Sequence, residues 1–282
     1  MTQQSQRTNE LNTQRALIDH MLTYYQYIPL ERFLKRHAQW DTLQIKNTVT
    51  LAYAISNVDL TTVEELAPSL QHPYLLRPSF LERRVYSYTH YLKISLAKRE
   101  IADYLRGLTP LLVDVFRLLI EEHLLPNLND YLIPIMKETE DGRRIYKGLQ
   151  WREAKIEAEP NIIRATWHHY YGKTFNYKHY ISSSHLLKII EYHLEDETIR
   201  SAAHELRQIE KYSRNIIAHE VMYVDDAWLM NRVQLRSEEI HQLLINLISM
   251  AGLTDARQWN IVNQLNDELS QLFDQQQREL ID

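Results

Sequence analysis

The stretch SRNIIAHE, residues 213–220, decides how this chain is interpreted. On a helix, at 100° per residue, its polar side chains fall within about 140° of one another, and its two isoleucines lie on the opposite side. The polar face consists of Arg214, Asn215 and His219, with the small Ala218 between them. Such a segment can anchor one face in a core and offer a cation, an amide and an imidazole on the other. The stretch therefore predicts a functional helix within a helical fold.

The residue just before this polar face predicts where its helix begins. Ser213 is a favoured N-cap residue, so a helix starting there would hold Arg214 and Asn215 in its first turn. Free backbone N–H groups and the helix dipole favour a phosphate at that end. We therefore expect the motif to form a phosphate site at a helix N-terminus.

Composition limits the class of protein. The 282 residues allow one large or two modest domains, and the 44% apolar and 24% charged content is ordinary for a globular protein. The absence of Cys excludes disulfides, thiolate metal sites and a Cys nucleophile. The net charge of −5 gives no global attraction for nucleic acid. With no signal-peptide pattern and no apolar run of about 20 residues, we expect a cytoplasmic protein without a membrane partner.

The spacing of apolar residues predicts an all-α fold. Helical periodicity recurs through the first 124 residues, without strand alternation or a glycine-rich phosphate loop. We expect an N-terminal helical bundle over residues 1–138, a connector with a short hairpin over 139–160, and a C-terminal helical domain over 161–282. Gly107 and Pro110 predict a break between a helix over 80–105 and another over 111–124. The last helix carries an apolar stripe that could pack on its own domain or on a second copy.

A basic and aromatic segment precedes the motif. Residues 161–190 carry four Lys or Arg and no Asp or Glu, and aromatic residues are interleaved among them. Cations for phosphates and flat rings for bases are what a single RNA strand requires. The other interpretation is that the rings form a core and the cations a solvated rim. The candidate RNA-binding residues are Arg164, Trp167, His168, His169, Lys173 and Lys178.

The spacing of Arg and His in the motif is not specific by itself. Eight Arg/His pairs in the chain have four to six residues between them, so the spacing alone decides nothing. Among those pairs, only Arg214 is followed directly by Asn and only His219 is preceded by Ala. The fuller pattern Arg-Asn-x-x-Ala-His therefore distinguishes residues 214–219.

That pattern resembles the signature of the HEPN superfamily, all-helical domains that include many ribonucleases. The C-terminal half of the chain is similar to the HEPN portion of the ancillary ribonucleases of type III-A CRISPR systems. Residues 102–106, in an upstream helical region, and the long last helix add to the resemblance. The resemblance implies a C-terminal domain of HEPN type and a role in CRISPR-linked antiviral defence.

The resemblance also implies the chemistry. It implies an endoribonuclease that needs no metal or other cofactor and cleaves single-stranded RNA at a composite site across a homodimer. Arg214, Asn215 and His219 would be catalytic, and attack by the 2′-hydroxyl would leave a 2′,3′-cyclic phosphate and a 5′-hydroxyl. Family members begin with a sensor for cyclic oligoadenylates, but no βαβ pattern or glycine turn is found in this sequence. We therefore expect such an activator only if a sensor domain exists outside this chain.

Two other functions and one other site remain open alternatives. The chain could be a non-catalytic helical interaction or scaffold protein with a structural motif. It could also be a HEPN-type toxin, although the large N-terminal bundle argues against that compact form. His168-His169 and Glu191-x-His193 could hold a metal, but no third ligand follows at helical spacing, so we expect none.

Overall fold

The computed structural model describes residues 3–172, 174–220 and 222–281. Within them the chain forms thirteen α-helices and a single two-stranded sheet, so the expected all-α fold is confirmed. Some side chains inside helices also lie outside the description, namely those of Gln3, Arg214, Asn215, Ala218 and His219.

The chain divides into two compact units, and the first contains Met1–Glu100 with Asp255–Asp282. Side chains cap several of its helices: Thr42 accepts from the Ile45 N–H, Asp59 from the Thr62 N–H and Ser79 from the Glu82 N–H. Its helices before residue 100 are α1 (Gln3–Thr23), α2 (Tyr27–Arg36), α3 (Leu43–Ser56), α4 (Leu60–Leu66) and α5 (Phe80–Ala97).

The second unit, Ile101–Thr254, carries the predicted motif. Its core is built mainly by three helices, since α9 and α10 both pack on α6, and α12 closes the group against α6 and α10. Its elements are α6 (Ile101–His123), β1 (Leu132–Glu138), β2 (Arg144–Trp151), α7 (Glu153–Ala158), α8 (Ile162–Tyr171), α9 (Ser183–His193), α10 (Glu197–His219), α11 (Asp226–Val233) and α12 (Ser237–Met250).

The last helix, α13 (Ala256–Ile281), returns to the first unit and packs on α1, α3 and α5. Its predicted stripe is buried there, with Val262, Leu265 and Leu269 at 3% exposure or less. The edge of Trp40 meets the ring of Phe273 at a centroid distance of 6.0 Å. The stripe therefore packs within its own chain, on helices of the first unit, whereas the sequence placed this helix in a C-terminal domain over residues 161–282.

The break expected at Gly107 and Pro110 is wrong. The helix ends earlier, where Arg99 adopts a φ of 60° and the Glu100 N–H bonds the Ser95 carbonyl, and α6 then runs without interruption through both residues. Pro110 removes one helical hydrogen bond, but leucines on both sides of it are fully buried. Their burial outweighs the local cost of the proline.

The predicted hairpin is present but starts before the expected connector, since β1 precedes residue 139 and only β2 lies within 139–160. β1 and β2 pair antiparallel, with a bulge between Ile135 and Met136. Gly148 has a φ of 141°, and a Cβ there would lie 3.1 Å from the ring of Tyr180, so any other residue would be strained at this position. The hairpin lies inside the second compact unit, so the proposed domain division at residues 139–160 differs from the division by contacts.

Candidate functional site

The predicted motif occupies the last two turns of α10. The helix starts at the cap residue Asp196, whose carboxylate accepts from the Thr198 and Ile199 N–H groups at 2.8 and 3.2 Å. It continues to His219, so Ser213 is an interior residue, 1% exposed, and its expected role as N-cap is wrong. The apolar face of α10 continues past Ser213 to the buried Ile217, which explains why no new helix starts there.

This position reverses the expected contribution of the helix backbone. The C-terminal end of a helix offers unpaired carbonyls and the negative end of the dipole. An anion at the motif would therefore gain nothing from free N–H groups. It would have to be held by side chains.

The motif side chains themselves lie outside the described residues. The backbone of Arg214, Asn215 and His219 belongs to α10. Of the residues between them, Ile217 is buried and Ile216 is half-buried. The apolar face predicted for the motif is therefore present in the structure.

A buried carboxylate lies one turn before the motif. Glu210 is 2% exposed and accepts hydrogen bonds from the hydroxyls of Thr109 and Ser183 at 3.0 and 2.8 Å. Arg207 lies on the same helix, with its Nε 3.4 Å from Glu210 Oε2. Thr109 is on α6 and Ser183 on α9, so this carboxylate joins the three central helices of the unit. Because both hydroxyls are distant in sequence, no sequence pattern pointed to them.

The end of α10 is fastened by two further arginines. Arg106 on α6 donates from Nη2 to the Ile217 carbonyl at 3.1 Å, which gives one terminal carbonyl of the helix a charged partner. Arg232 on α11 donates from Nε to the Tyr212 carbonyl at 2.6 Å. The backbone that carries the motif is thus held from α6 and from α11.

The predicted RNA-binding residue Trp167 belongs to the core. It is fully buried and stacks on Phe175 at 4.3 Å between centroids, while the edge of Trp151 meets it at 5.2 Å. Its ring has no free face for a base. Trp167 therefore fits the alternative in which the aromatic rings form a core.

The other predicted RNA-binding residues are on the surface where they are described. His168, His169 and Lys178 are exposed, and Arg164 is half-buried with its Nε 3.2 Å from Glu157. Lys173 lies outside the described residues. Of the five described residues, the structure leaves four accessible to a ligand.

Two further histidines in this region are held neutral. Burial, followed by the nearby His179 and Lys188, lowers the pKa of His185 from its usual 6.5 to about 4. Burial also lowers the pKa of His193, whose Nε2 lies 3.0 Å from the Ile162 carbonyl. Neither adds positive charge near neutral pH.

No three His, Asp or Glu side chains among residues 3–172, 174–220 and 222–281 lie close enough to share a metal ion. No helix in those ranges combines the length and the apolar character needed to cross a membrane.

One protein family and one solved structure are similar to this chain. The family of the Cas_Csm6 HEPN domain matches residues 74–270. Among solved structures, Enterococcus italicus Csm6 bound to cyclic hexa-2′-fluoro-hexa-dAMP has a similar fold, with a TM-score of 0.63 at 10% sequence identity. That match covers 93% of this chain and 57% of the other, so this chain spans little more than half of that protein's length. No curated protein matches the sequence.

Proposed function

The chain belongs to the family of Csm6 HEPN domains, and we propose that it is a CRISPR-associated endoribonuclease that cleaves single-stranded RNA without a metal. The observation that carries the proposal is the family match over residues 74–270, because it includes Arg214, Asn215 and His219. The hydrogen bonds of the buried Glu210 and of the more exposed Arg106 support it, since they hold the helix on which these residues lie.

The proposed reaction uses a nucleophile that the RNA already carries. The 2′-hydroxyl oxygen attacks the adjacent phosphorus, and the bond from phosphorus to the 5′-oxygen of the next nucleotide breaks. The hydroxyl proton leaves to a base and another proton reaches the departing 5′-oxygen, so the products are a 2′,3′-cyclic phosphate and a 5′-hydroxyl. No metal-bound water is required for this chemistry.

Each residue of the motif has a proposed role. His219, whose ordinary pKa lies near neutrality, would accept the proton of the 2′-hydroxyl or, when protonated, donate to the leaving oxygen. Arg214 would bind the scissile phosphate and offset the charge of the transition state. This charge matters because the C-terminal end of α10 does not favour an anion. Asn215 would orient His219 or an RNA oxygen.

The proposed partners are RNA and a second copy of the chain. One motif contains one histidine, so a composite site would bring two motifs together across a homodimer. The Enterococcus italicus Csm6 is bound to a cyclic oligonucleotide. For this chain we propose activation by a cyclic oligoadenylate only if a sensor domain exists outside it. We also propose that the chain acts in antiviral defence.

The test is cleavage of a labelled single-stranded RNA in EDTA. Wild type is compared with His219→Ala and with His20→Ala, because Arg15 and His20 have the same spacing as Arg214 and His219. We expect wild type and His20→Ala to leave a 2′,3′-cyclic phosphate and His219→Ala to lose cleavage. Equal cleavage by wild type and His219→Ala would overturn the mechanism. Absence of cleavage by all three, with a partner protein recovered, would favour a non-catalytic interaction protein.

A further inference from the structure

Three aromatic rings and one lysine form a surface array on α8 and α9. The ring of His169 stacks on that of Tyr192, with centroids 4.4 Å apart and planes 14° apart. Tyr170 meets His169 at 4.8 Å and Tyr192 at 6.3 Å, in both cases edge to face. Lys188 Nζ lies 5.0 Å from the centre of the Tyr170 ring. We call His169, Tyr170, Lys188 and Tyr192 the ring platform.

The ring platform faces solvent, unlike the aromatic cluster around Trp167. Tyr170 is 39% exposed and Tyr192 is 44% exposed, and His169 is also exposed. Each ring is covered in part by contacts between α8 and α9, and the rest of the ring is accessible to solvent. Large rings gathered on a surface indicate a site for binding.

The charge around the ring platform suits a polyanion. Lys188 forms no ion pair with any residue in the described part of the chain, and residues 161–190 carry no acidic side chain. The acid that follows directly, Glu191, accepts from His204 Nδ1 at 2.6 Å. The chain as a whole has a net charge of −5, so residues 161–190, which carry three of the four platform residues, form a basic stretch against that background. Tyr192 lies outside this stretch, next to Glu191, whose charge adds to burial in raising the pKa of Tyr170.

We propose that the ring platform binds single-stranded RNA, with bases on the faces of Tyr170 and Tyr192 and a phosphate on Lys188. This inference rests on the proposed ribonuclease function. Stacking on tyrosine accepts every base, since each base has a flat face, and a lysine adds attraction without reading sequence. The platform therefore contributes affinity rather than base preference.

The helix pairing gives the offset between the ring platform and the motif along the axis of α10. Ser183 contacts Glu210 and Glu191 contacts His204, so α9 runs antiparallel to α10. Tyr192 is thus near the level of His204, which precedes Arg214 by about 15 Å and His219 by about 22 Å along the helix axis. A strand that reaches both places extends over several nucleotides, so the platform holds RNA away from the cleaved bond.

The experiment measures KM and kcat for two RNAs, a long single strand and a short one that reaches only the motif. Tyr192→Ala should raise KM for the long RNA by at least about fivefold, the equivalent of one lost stacking interaction. Tyr192→Phe, which keeps the ring, should restore it. KM for the short RNA should be the same in Tyr192→Ala and wild type. Tyr146→Ala is the matched control, because Tyr146 is an exposed tyrosine on the hairpin.

Binding of the long RNA to the same variants separates this proposal from the ribonuclease proposal. If wild type binds RNA but does not cleave it, weaker binding by Tyr192→Ala and by Lys188→Gln supports the platform while the ribonuclease proposal fails. Equal binding and equal KM for wild type and Tyr192→Ala would overturn the platform. So would a loss of dimer mass in Tyr192→Ala with unchanged RNA binding, because the surface would then serve a protein partner. Absence of RNA binding by wild type would overturn it as well.

Discussion

Ser183 on α9 donates a 2.8 Å hydrogen bond to the buried carboxylate of Glu210 on α10. Thr109 on α6 donates to the other oxygen of the same carboxylate at 3.0 Å. A carboxylate out of water is costly unless donors surround it, so this group stabilises only the arrangement in which three helices meet. Since Glu210 precedes Arg214 by one turn, the same contacts fix the segment from which the motif projects.

Removal of Glu210 should therefore destabilise the second unit strongly. We expect Glu210→Ala to lower the free energy of unfolding by about 3–5 kcal/mol, because it leaves buried donors without an acceptor. Ser183→Ala should cost about 1–3 kcal/mol, and Ser184→Ala, the neighbouring hydroxyl, less than about 0.5 kcal/mol. Urea unfolding followed by circular dichroism measures all three. Equal midpoints for Ser183→Ala and Ser184→Ala would contradict the assignment.

The bond from Arg106 to the Ile217 carbonyl should matter for cleavage. Arg106→Gln removes the charged partner of a terminal carbonyl within the motif, and we expect kcat/KM to fall by about tenfold, the equivalent of one charge-assisted hydrogen bond. Asp103→Asn is the control: Asp103 binds the other side of the Arg106 guanidinium at an exposed position, where ion pairs contribute little. Steady-state cleavage of labelled RNA distinguishes the two variants. Equal rates for Arg106→Gln and Asp103→Asn would show that the hydrogen bond from Arg106 to the Ile217 carbonyl does not contribute to cleavage.

His185 should make the free energy of unfolding decrease as the pH is lowered. Burial, with His179 and Lys188 as lesser causes, lowers the pKa of His185 to about 4 in the folded chain, against about 6.5 when unfolded. Between these values the unfolded chain binds more protons, so stability is fully present above about pH 6.5 and is lost as the pH falls towards 4.

The measurement is the urea midpoint of wild type and His185→Gln over that pH range. The variant lacks the titrating imidazole, so its midpoint should fall less steeply as the pH is lowered. Groups that titrate elsewhere, including His193, remain in both proteins, and only the difference between the two curves reports on His185. Parallel curves would show that the imidazole is solvated in the folded chain.

Local patterns in the sequence were sufficient to predict the helical class, the hairpin and the motif. Apolar spacing acts over one or two turns, so it predicted helices such as α13 from the sequence alone. The Arg-Asn-x-x-Ala-His pattern is also local, and it pointed to the family that matches residues 74–270.

Tertiary packing decided where the helices begin and end and which of their side chains are buried. It continued α6 through Pro110 and α10 through Ser213, because buried apolar faces on both sides outweigh a local break or a local cap. It placed Trp167 in the core and Tyr192 on the surface, although both are aromatic residues on amphipathic helices. The sequence by itself determined which side chains are available for chemistry. Only the tertiary structure decided which are exposed and that the motif lies at the carbonyl end of its helix, since burial and helix ends depend on contacts between residues far apart in the chain.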